Sequence, residues 1–374
     1  MGRRSWNQLR SLQRMAAAGL LAVCIPLLSA AHGWAVLFKF TADPSFNTNA
    51  PAGALTNSGW QYQGKWNSFL GTPVAPTFFI AAKHVGGATC DVFVLNGFTY
   101  HAVAFTDCPD ADLRVWQVGE TFPAYAPLYT ATNEVGKQCV VFGRGTQRGP
   151  AVIVSNKTNG WEWGASDGAQ RWGENEVASV EAGGGGIGAL LRAEFNRNAG
   201  SNECHLSVGD SSGAMFIQDG ADWKLAGIHY AVDAHFSTDG TTNTQFDAAL
   251  LDMGGLWNGS GTNWTFITNT GQDKPSGFYS TRISANTNWI RSVIHFQPGP
   301  DLRITDISVA GDDVLISLAT GSNRVYRVDY ATDIAVGDWT TVTNNVAGTG
   351  GIVTVADPGA ALLPERFYRA VLLQ

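Results

Sequence analysis

Short apolar or alternating runs, separated by Gly, Asn, Asp and Pro, follow one another from Val36 to about Phe296. Alternation with a period of two is typical of half-buried strands, and turn residues at such close spacing indicate an all-β domain. The pattern predicts strands at several places, for example Thr77–Ala82, Val92–Leu95, Leu113–Val118, Val140–Phe142 and Lys224–His229.

One helical pattern stands near the end of this region. Trp289, Ile290, Val293 and Ile294 fall on one face of a helix, and Ser284 can cap its start. A helix is therefore expected to close a domain that covers residues 32–296.

The run Gln297–Pro300 has two prolines and one glycine, which disfavour both helix and strand, and we interpret residues 297–300 as a linker. Residues 301–374 contain further strand-like runs, spaced as in a small β-sandwich. This second domain carries no catalytic constellation, so attachment or localisation is its expected role. Its predicted strands are Val314–Leu318, Val325–Tyr330, Trp339–Val342, Ile352–Val355 and Phe367–Val371.

Composition agrees with this picture. The chain has 374 residues, which exceeds the size at which a single core usually stops growing and favours two domains. Charged residues are 15% of the chain and glycines number 44, a profile that suits turn-rich β structure.

The N-terminus has the order of a secretory signal peptide. Four arginines precede an uncharged run from Met15 to Leu28, and Ser29-Ala30-Ala31 follows as a small-residue cleavage site. We expect residues 1–31 to be removed and the protein to be exported, with an uncleaved anchor as the alternative. The net charge of −7 then becomes −11, which argues against nucleic acid and anionic lipid as partners.

Four cysteines remain after removal of the signal, an even number in an exported chain. We favour the disulfides Cys90–Cys108 and Cys139–Cys204, because the first pair brackets a hairpin that turns at Asn96-Gly97. Free buried thiols are the alternative.

Three segments carry candidate chemistry. His84 ends a buried strand, and Asp112 stands at the mouth of an alternating strand. Ser211 lies among small residues directly before an apolar strand, where Gly209 and Gly213 leave room for free backbone N–H groups. Each feature alone is ordinary strand-end or turn chemistry.

The three segments together resemble the His, Asp and Ser motifs of trypsin-like (chymotrypsin-fold) serine proteases, in that family's order. Gly209-Asp210-Ser211-Ser212-Gly213 is similar to Gly-Asp-Ser-Gly-Gly, and Asp112-Leu113-Arg114-Val115 resembles Asp-Leu-Ala-Leu. Ala81-Ala82-Lys83-His84 is similar to Thr-Ala-Ala-His, and two further segments, residues 225–230 and 278–290, resemble the cleft strand and the closing strand and helix. Lys83, Val85 and Ser212 depart from the small, cysteine and glycine residues of the family.

The resemblance implies two six-stranded antiparallel β-barrels and a His84–Asp112–Ser211 triad that hydrolyses peptide bonds through an acyl-enzyme. It also implies an oxyanion hole from the N–H groups of Gly209 and Ser211. The segment His229-Tyr230-Ala231 would bind the substrate backbone as an added strand. Protein or peptide substrates are expected, and neither cofactor nor metal is required.

Specificity has one clue in the sequence. The position that the family uses as the pocket floor is His205 here, which makes a preference for Arg or Lys unexpected. Gly227-Ile228-His229-Tyr230 resembles the Gly-Ile-His-Trp of glutamyl endopeptidases, where the histidine receives the substrate carboxylate. A preference for an acidic residue before the scissile bond is the expectation, and a His229 that only bonds a backbone carbonyl is the alternative.

Two other functional classes compete. Gly209–Gly213 also satisfies Gly-x-Ser-x-Gly, the nucleophile elbow of α/β-hydrolase esterases, which requires a helix after the serine. The departures Lys83 and Ser212 instead motivate a catalytically inactive protease fold that serves as a binding or adhesion module.

Overall fold

The computed structural model describes residues 36–165, 167–294, 302–321, 324–334 and 338–373. The predicted signal peptide and the linker 297–300 lie outside these ranges. The first strands in chain order are β1 (Leu37–Phe38), β2 (Gly64–Trp66), β3 (Phe69–Ala75), β4 (Phe78–Ala81), β5 (Val92–Leu95), β6 (Phe98–Asp107) and β7 (Arg114–Val118).

Strands β2 to β7 close into a six-stranded barrel with the order β2-β3-β4-β7-β6-β5. Alternation along β4 explains how it packs. Phe79 and Ala81 point into the barrel with Trp66 and Trp116, whereas Phe78 and Ile80 join a second apolar cluster outside it. The strand is apolar on both faces because both faces are buried.

The chain then forms a second set of strands: β8 (Gln138–Gly143), β9 (Arg148–Val154), β10 (Lys157–Trp163), β11 (Arg171–Ala182), β12 (Ala189–Glu194), β13 (Cys204–His205), β14 (Ala214–Asp219) and β15 (Asp222–Val232). It continues with β16 (Phe236–Ser237), β17 (Gln245–Phe246), β18 (Ala248–Leu250), β19 (Trp257–Ser260), β20 (Asn263–Phe266) and β21 (Gly277–Arg282).

Six of these strands close a second barrel, with the order β11-β12-β21-β15-β14-β8. The remaining strands form smaller sheets beside it: β1 with β13, a three-stranded sheet of β18, β10 and β9, and a four-stranded sheet of β17, β16, β19 and β20. The second apolar cluster joins the two barrels, since it combines Ile80 and Val115 of the first with Phe142 and Phe216 of the second.

Helix α1 (Ile283–Ile294) packs its apolar face on this junction through Ile290, with Trp289, Val293 and Ile294 beside it. The predicted helix face is therefore confirmed. Ser284 does not cap the helix, since the helix already begins at Ile283. Its hydroxyl instead donates a hydrogen bond to the Glu134 carboxylate at 2.5 Å. Within the described residues, no helix has the length and apolar character needed to cross a bilayer.

The C-terminal part contains β22 (Ile304–Ala310), β23 (Asp313–Ala319), β24 (Val325–Ala331), β25 (Thr340–Ala347), β26 (Ile352–Asp357) and β27 (Phe367–Leu372). They form two three-stranded sheets, β22-β23-β26 and β25-β24-β27, around a core that includes Ile316, Leu318 and Val328. The all-β fold class, with two six-stranded antiparallel barrels, a closing helix and a small C-terminal β domain, is confirmed.

The predicted disulfides are not present, because all four described cysteines are free thiols. The amide of Cys90 bonds the carbonyl of Ala102, and Cys108 lies six positions further along and past the end of β6. An extended strand makes that separation on the order of 20 Å, far beyond the reach of a disulfide. Cys139 in β8 and Cys204 in β13 are buried thiols in one apolar cluster, whereas Cys90 is exposed.

Candidate active site

His84 and Asp112 meet because their segments flank neighbouring strands of the first barrel. Strand β4 ends at Ala81 opposite Arg114, the first residue of β7. His84 lies in a short 3-10 turn, Lys83–Val85, directly after β4, and Asp112 directly precedes β7. The sequence order therefore places both side chains at the same end of the barrel.

Asp112 holds His84 by two contacts. Its Oδ1 accepts the backbone N–H of His84 at 2.9 Å, and its Oδ2 lies 2.5 Å from His84 Nδ1. Because an ionised carboxylate only accepts hydrogen bonds, Nδ1 carries the proton and Nε2 of a neutral ring keeps a free lone pair. This arrangement leaves Nε2 able to take up a proton from a neighbouring group.

Two other histidines pair with carboxylates, and burial distinguishes them from His84. The His84 partner has a side chain that is 6% exposed, against 42% for Glu120 beside His101 and 35% for Asp247 beside His235. A buried carboxylate acts on its histidine with little screening by water, so His84–Asp112 is the electrostatically strongest of the three pairs.

Lys83 fastens the two loops that carry this pair. Its Nζ donates to the carbonyls of Cys108 and Ala111, each at 3.1 Å. The residue next to the histidine thus ties the histidine turn to the loop that leads into Asp112. Lys83, which differs from the small residue of the motif that this segment resembles, therefore makes a structural contact here.

Ser211 belongs to the turn 209–213, which leads into β14 of the second barrel. Gly209 has φ +95°, a left-handed value that glycine adopts without strain. Among the described residues, neither the Gly209 nor the Ser211 backbone N–H donates a hydrogen bond to another group. Both are therefore free to bind an oxygen atom at the turn.

The side chain of Asp210 anchors this turn through hydrogen bonds to neighbouring backbone groups. Its buried carboxylate accepts the N–H groups of Gly145 at 2.6 Å and Ser207 at 2.8 Å. Burial raises the pKa of Asp210 to about 7, although these hydrogen bonds favour the ionised form. Gly143 and Gly145 are pressed against the carboxylate, so a side chain at either position would displace it.

The turn of Ser211 is joined to the turn of His84 across the two barrels. Ser212 Oγ accepts the backbone N–H of Ala82 at 3.0 Å, and the ring of Tyr230 packs edge-on against the His84 ring at 5.7 Å between centroids. Within the described residues, Ser211 Oγ itself makes no hydrogen bond to His84. Catalytic contacts are often long before substrate binds.

A cleft of about 340 Å³ opens beside Ser211. Strand β15 forms one wall of it, since Ala214 pairs with Ile228 and the strand continues past the Ser211 turn. His229, Tyr230 and Ala231, the segment expected from the sequence to bind substrate, all line the cleft. The other lining residues are Trp163, Leu206, Ser207, Val208, Asp210, Val232, Ala234, His235 and Asp247.

The two histidines with predicted specificity roles are both buried. His205 is not among the cleft-lining residues, and its ring contacts the Leu206 carbonyl and Ser276 Oγ. His229 Nδ1 lies 2.8 Å from Ser280 Oγ, while its Nε2 has no partner in the described part of the chain. Burial lowers the pKa of His205 to about 4 and that of His229 to about 3, so both rings are neutral at neutral pH.

The outer wall of the cleft contains none of the site residues predicted from the sequence. Trp163 ends β10, and His235 and Asp247 come from the long connection between β15 and β21. The signal that could have pointed to them is the length of that connection, which is larger than a turn requires. In the described ranges, no three His, Cys, Asp or Glu side chains are grouped so that they could hold a metal ion.

The protein thus combines two β-barrels with a histidine, His84, that is paired with the buried carboxylate of Asp112. This pair lies next to the cleft that Ser211 lines. No known family and no curated protein matches the chain. Among solved structures it is similar to trypsin-like serine proteases. Mouse neuropsin shares 13% identity over 64% of this chain and 96% of its own, with a TM-score of 0.38.

Two further structures give the same picture. An inactive serine-to-alanine mutant of Rv3671c from M. tuberculosis shares 10% identity over 69% of this chain and 97% of its own, with a TM-score of 0.38. Kallikrein-related peptidase 10 shares 13% identity over 66% of this chain and 100% of its own, with a TM-score of 0.37. Scores this low assign no activity, so the function is argued from the site.

Proposed function

We propose that this protein is an exported serine endopeptidase that uses His84, Asp112 and Ser211 as its catalytic triad. The observation that carries the proposal is the His84 ring held by buried Asp112 through Nδ1, with Nε2 free at the end of the barrel that meets the Ser211 turn. The apolar N-terminal run after four arginines supports export.

The proposed reaction has two steps, acylation of Ser211 and hydrolysis of the acyl-enzyme. Ser211 Oγ attacks the substrate carbonyl while its proton passes to His84 Nε2, and the Gly209 and Ser211 N–H groups bind the oxyanion. The C–N bond then breaks, and the same proton leaves with the amine. Water, deprotonated by His84, hydrolyses the acyl-enzyme and restores the serine.

Asp112 keeps its negative charge throughout. It fixes the Nδ1–H tautomer and stabilises the imidazolium that forms in each step. The antiparallel continuation of β15 beyond Ser211 supports binding of an extended substrate along the cleft-lining segment His229-Tyr230-Ala231. The N–H and C=O of His229 already bond Gly213 and Ser212, so backbone contacts to the substrate begin at Tyr230.

We expect Ser211→Ala, His84→Ala and Asp112→Asn each to lower kcat for a peptide substrate by about 10⁴-fold or more, because the triad acts as a unit. The fold is expected to persist, as measured by circular dichroism. A fluorophosphonate probe should label the unmodified protein at Ser211, located by peptide mass spectrometry, and should not label Ser211→Ala.

His101→Ala is the matched control, since it removes an exposed histidine from an equivalent contact with Glu120 at 2.7 Å. It should retain full activity. An unmodified protein that neither reacts with the probe nor cleaves any peptide would support the binding-module alternative and overturn the peptidase. The esterase alternative fails on structure, because Ser211 leads into strand β14 and all pairings between the named strands are antiparallel.

The proposed substrate preference is an acidic residue before the scissile bond. The support is His229, which lines the cleft with Ser211 and has Nδ1 bonded to Ser280 Oγ and Nε2 unpartnered. When the Ser280 hydroxyl donates to Nδ1, the proton of the neutral ring lies on Nε2, a buried atom that the substrate carboxylate has to reach from the cleft. The described residues that line the cleft include neither Lys nor Arg, so none of them could bind the substrate carboxylate in place of His229 as a permanent cation.

A further inference from the structure

Ser212 has a backbone conformation that its side chain does not favour. Its φ is +67°, in the left-handed region where a Cβ atom is crowded by the following carbonyl. The residue is fully buried directly after Ser211. Glycine would adopt this conformation freely, so the serine side chain is kept at a conformational cost.

The hydroxyl makes a contact that glycine cannot make. Ser212 Oγ accepts the N–H of Ala82 at 3.0 Å, across 130 positions of sequence. Ala82 links the end of β4 to the His84 turn. On its other side, Ser212 donates its own N–H to the carbonyl of His229 at 2.9 Å.

Ser212 thus contacts all three parts of the site: the serine turn, the histidine turn and the cleft strand. In the described part of the chain, its bond to Ala82 is the only hydrogen bond between residues 209–213 and residues 81–85. The bond is buried, where hydrogen bonds are strong and their geometry is firmly held.

We propose that Ser212 is a positioning residue whose hydroxyl sets the distance between Ser211 Oγ and His84 Nε2 by fastening the second barrel to the first. The inference rests on the proposed peptidase function and deepens it. Small errors in that distance slow proton transfer steeply, whereas substrate binding along β15 does not depend on it.

Two substitutions separate the hydroxyl from the backbone strain. Ser212→Ala removes the bond and keeps the strain, whereas Ser212→Gly removes both. We expect each to lower kcat by about ten- to a hundredfold, with KM changed by less than about twofold. The rate of Ser211 labelling by a fluorophosphonate should fall by a similar factor, because that reaction also needs His84 to take up the serine proton.

If Ser212 contributed to stability alone, activity would follow stability. The positioning role instead predicts that Ser212→Gly, which relieves the left-handed strain, unfolds at higher denaturant than Ser212→Ala and yet is equally slow. Ser155→Gly is the matched control, since Ser155 is also left-handed, with φ +51°, but lies on an exposed turn. It should gain stability and keep full activity.

The outcomes distinguish the two proposals. If the unmodified protein cleaves peptides and Ser212→Ala is as fast as it in both kcat and labelling rate, the positioning role is wrong and the peptidase stands. If activity follows stability across the three variants, the role is structural and the inference is overturned. An unmodified protein without activity or labelling overturns both proposals.

Discussion

The charge of a histidine depends on its surroundings, and His229 shows how far burial can change it. The lowered pKa of about 3 makes the free ring neutral across the physiological range, because an imidazolium at this position would lose its hydration. In the proposed complex, a substrate carboxylate at His229 favours the imidazolium, in which Nδ1 also carries a proton and donates it to Ser280 Oγ. On this proposal, binding of an acidic side chain is coupled to uptake of a proton.

This coupling predicts a pH-dependent preference. The ratio of kcat/KM for a Glu substrate to that for a matched Leu substrate should fall with rising pH, by up to about tenfold per pH unit between the free-ring pKa of about 3 and the raised pKa of His229 in the complex, and should level off above that raised pKa. Any effect of pH on the catalytic steps that the two substrates share cancels in the ratio. Kinetics of paired fluorogenic peptides between pH 5 and 9 measure it.

His229→Val should make the ratio small and independent of pH. His235→Ala is the control in the same cleft, because His235 already has Asp247 as its partner at 2.5 Å. An apolar or basic preference in the unmodified protein, or loss of the pH dependence in His235→Ala alone, contradicts the role given to His229.

At the scale of elements, a buried ion pair holds the closing helix to the connection between the barrels. Glu134 is fully buried, and its carboxylate accepts Arg282 Nε at 2.9 Å and Nη2 at 2.6 Å. Burial opposes its ionisation, but the hydrogen bonds from Arg282 and Ser284 hold the pKa of Glu134 below its ordinary value. Strand β21 ends at Arg282 and α1 begins at the next residue, so this pair fixes the junction.

We expect Glu134→Ala to lower the free energy of unfolding by about 3–5 kcal/mol, because it leaves a partly buried guanidinium without its partner. Adding Arg282→Ala should restore part of that loss. Asp219→Ala, which breaks an exposed pair with Lys224, should change the free energy by less than about 1 kcal/mol. Urea denaturation of the single and double variants tests this, and strictly additive losses would show that the pair does not couple.

For the whole molecule, apolar packing divides the chain at the predicted linker. Every described hydrophobic cluster draws its residues either from 36–294 or from 304–370, and none mixes the two. Each part therefore has its own core, which is the physical basis for treating it as a domain. Of the described residues, none from 302 onwards contributes a cleft-lining side chain.

Truncation after Pro300 should leave kcat/KM for a short peptide within about twofold, since the barrels keep their cores and the described residues that form the proposed site all lie before residue 295. The thermal midpoint of the remaining part should also stay close to its value in the full chain. Aggregation or loss of turnover in the truncated protein would show that the C-terminal sheets complete the peptidase.

The sequence by itself determined the local structure and the order of the site residues. Short apolar or alternating runs bounded by turn residues were sufficient to place β4, β5 and β7 within a residue or two, because strands buried on one or both faces leave that pattern in the sequence. The sequence also placed His84 and Asp112 at the ends of strands, and the structure shows that these strands pair. Local preference and position along the chain carry that much information.

Only the tertiary structure decided which groups meet over long separations. It separated Cys90 from Cys108 by the length of a strand, buried His205 away from the cleft, and built the outer cleft wall from the connection after β15. It also brought Ser212, which in the sequence only departs from a motif, within hydrogen-bond distance of the Ala82 N–H. Such contacts depend on how two closed barrels are docked, and no local pattern encodes that arrangement, because each partner is specified by a distant part of the chain.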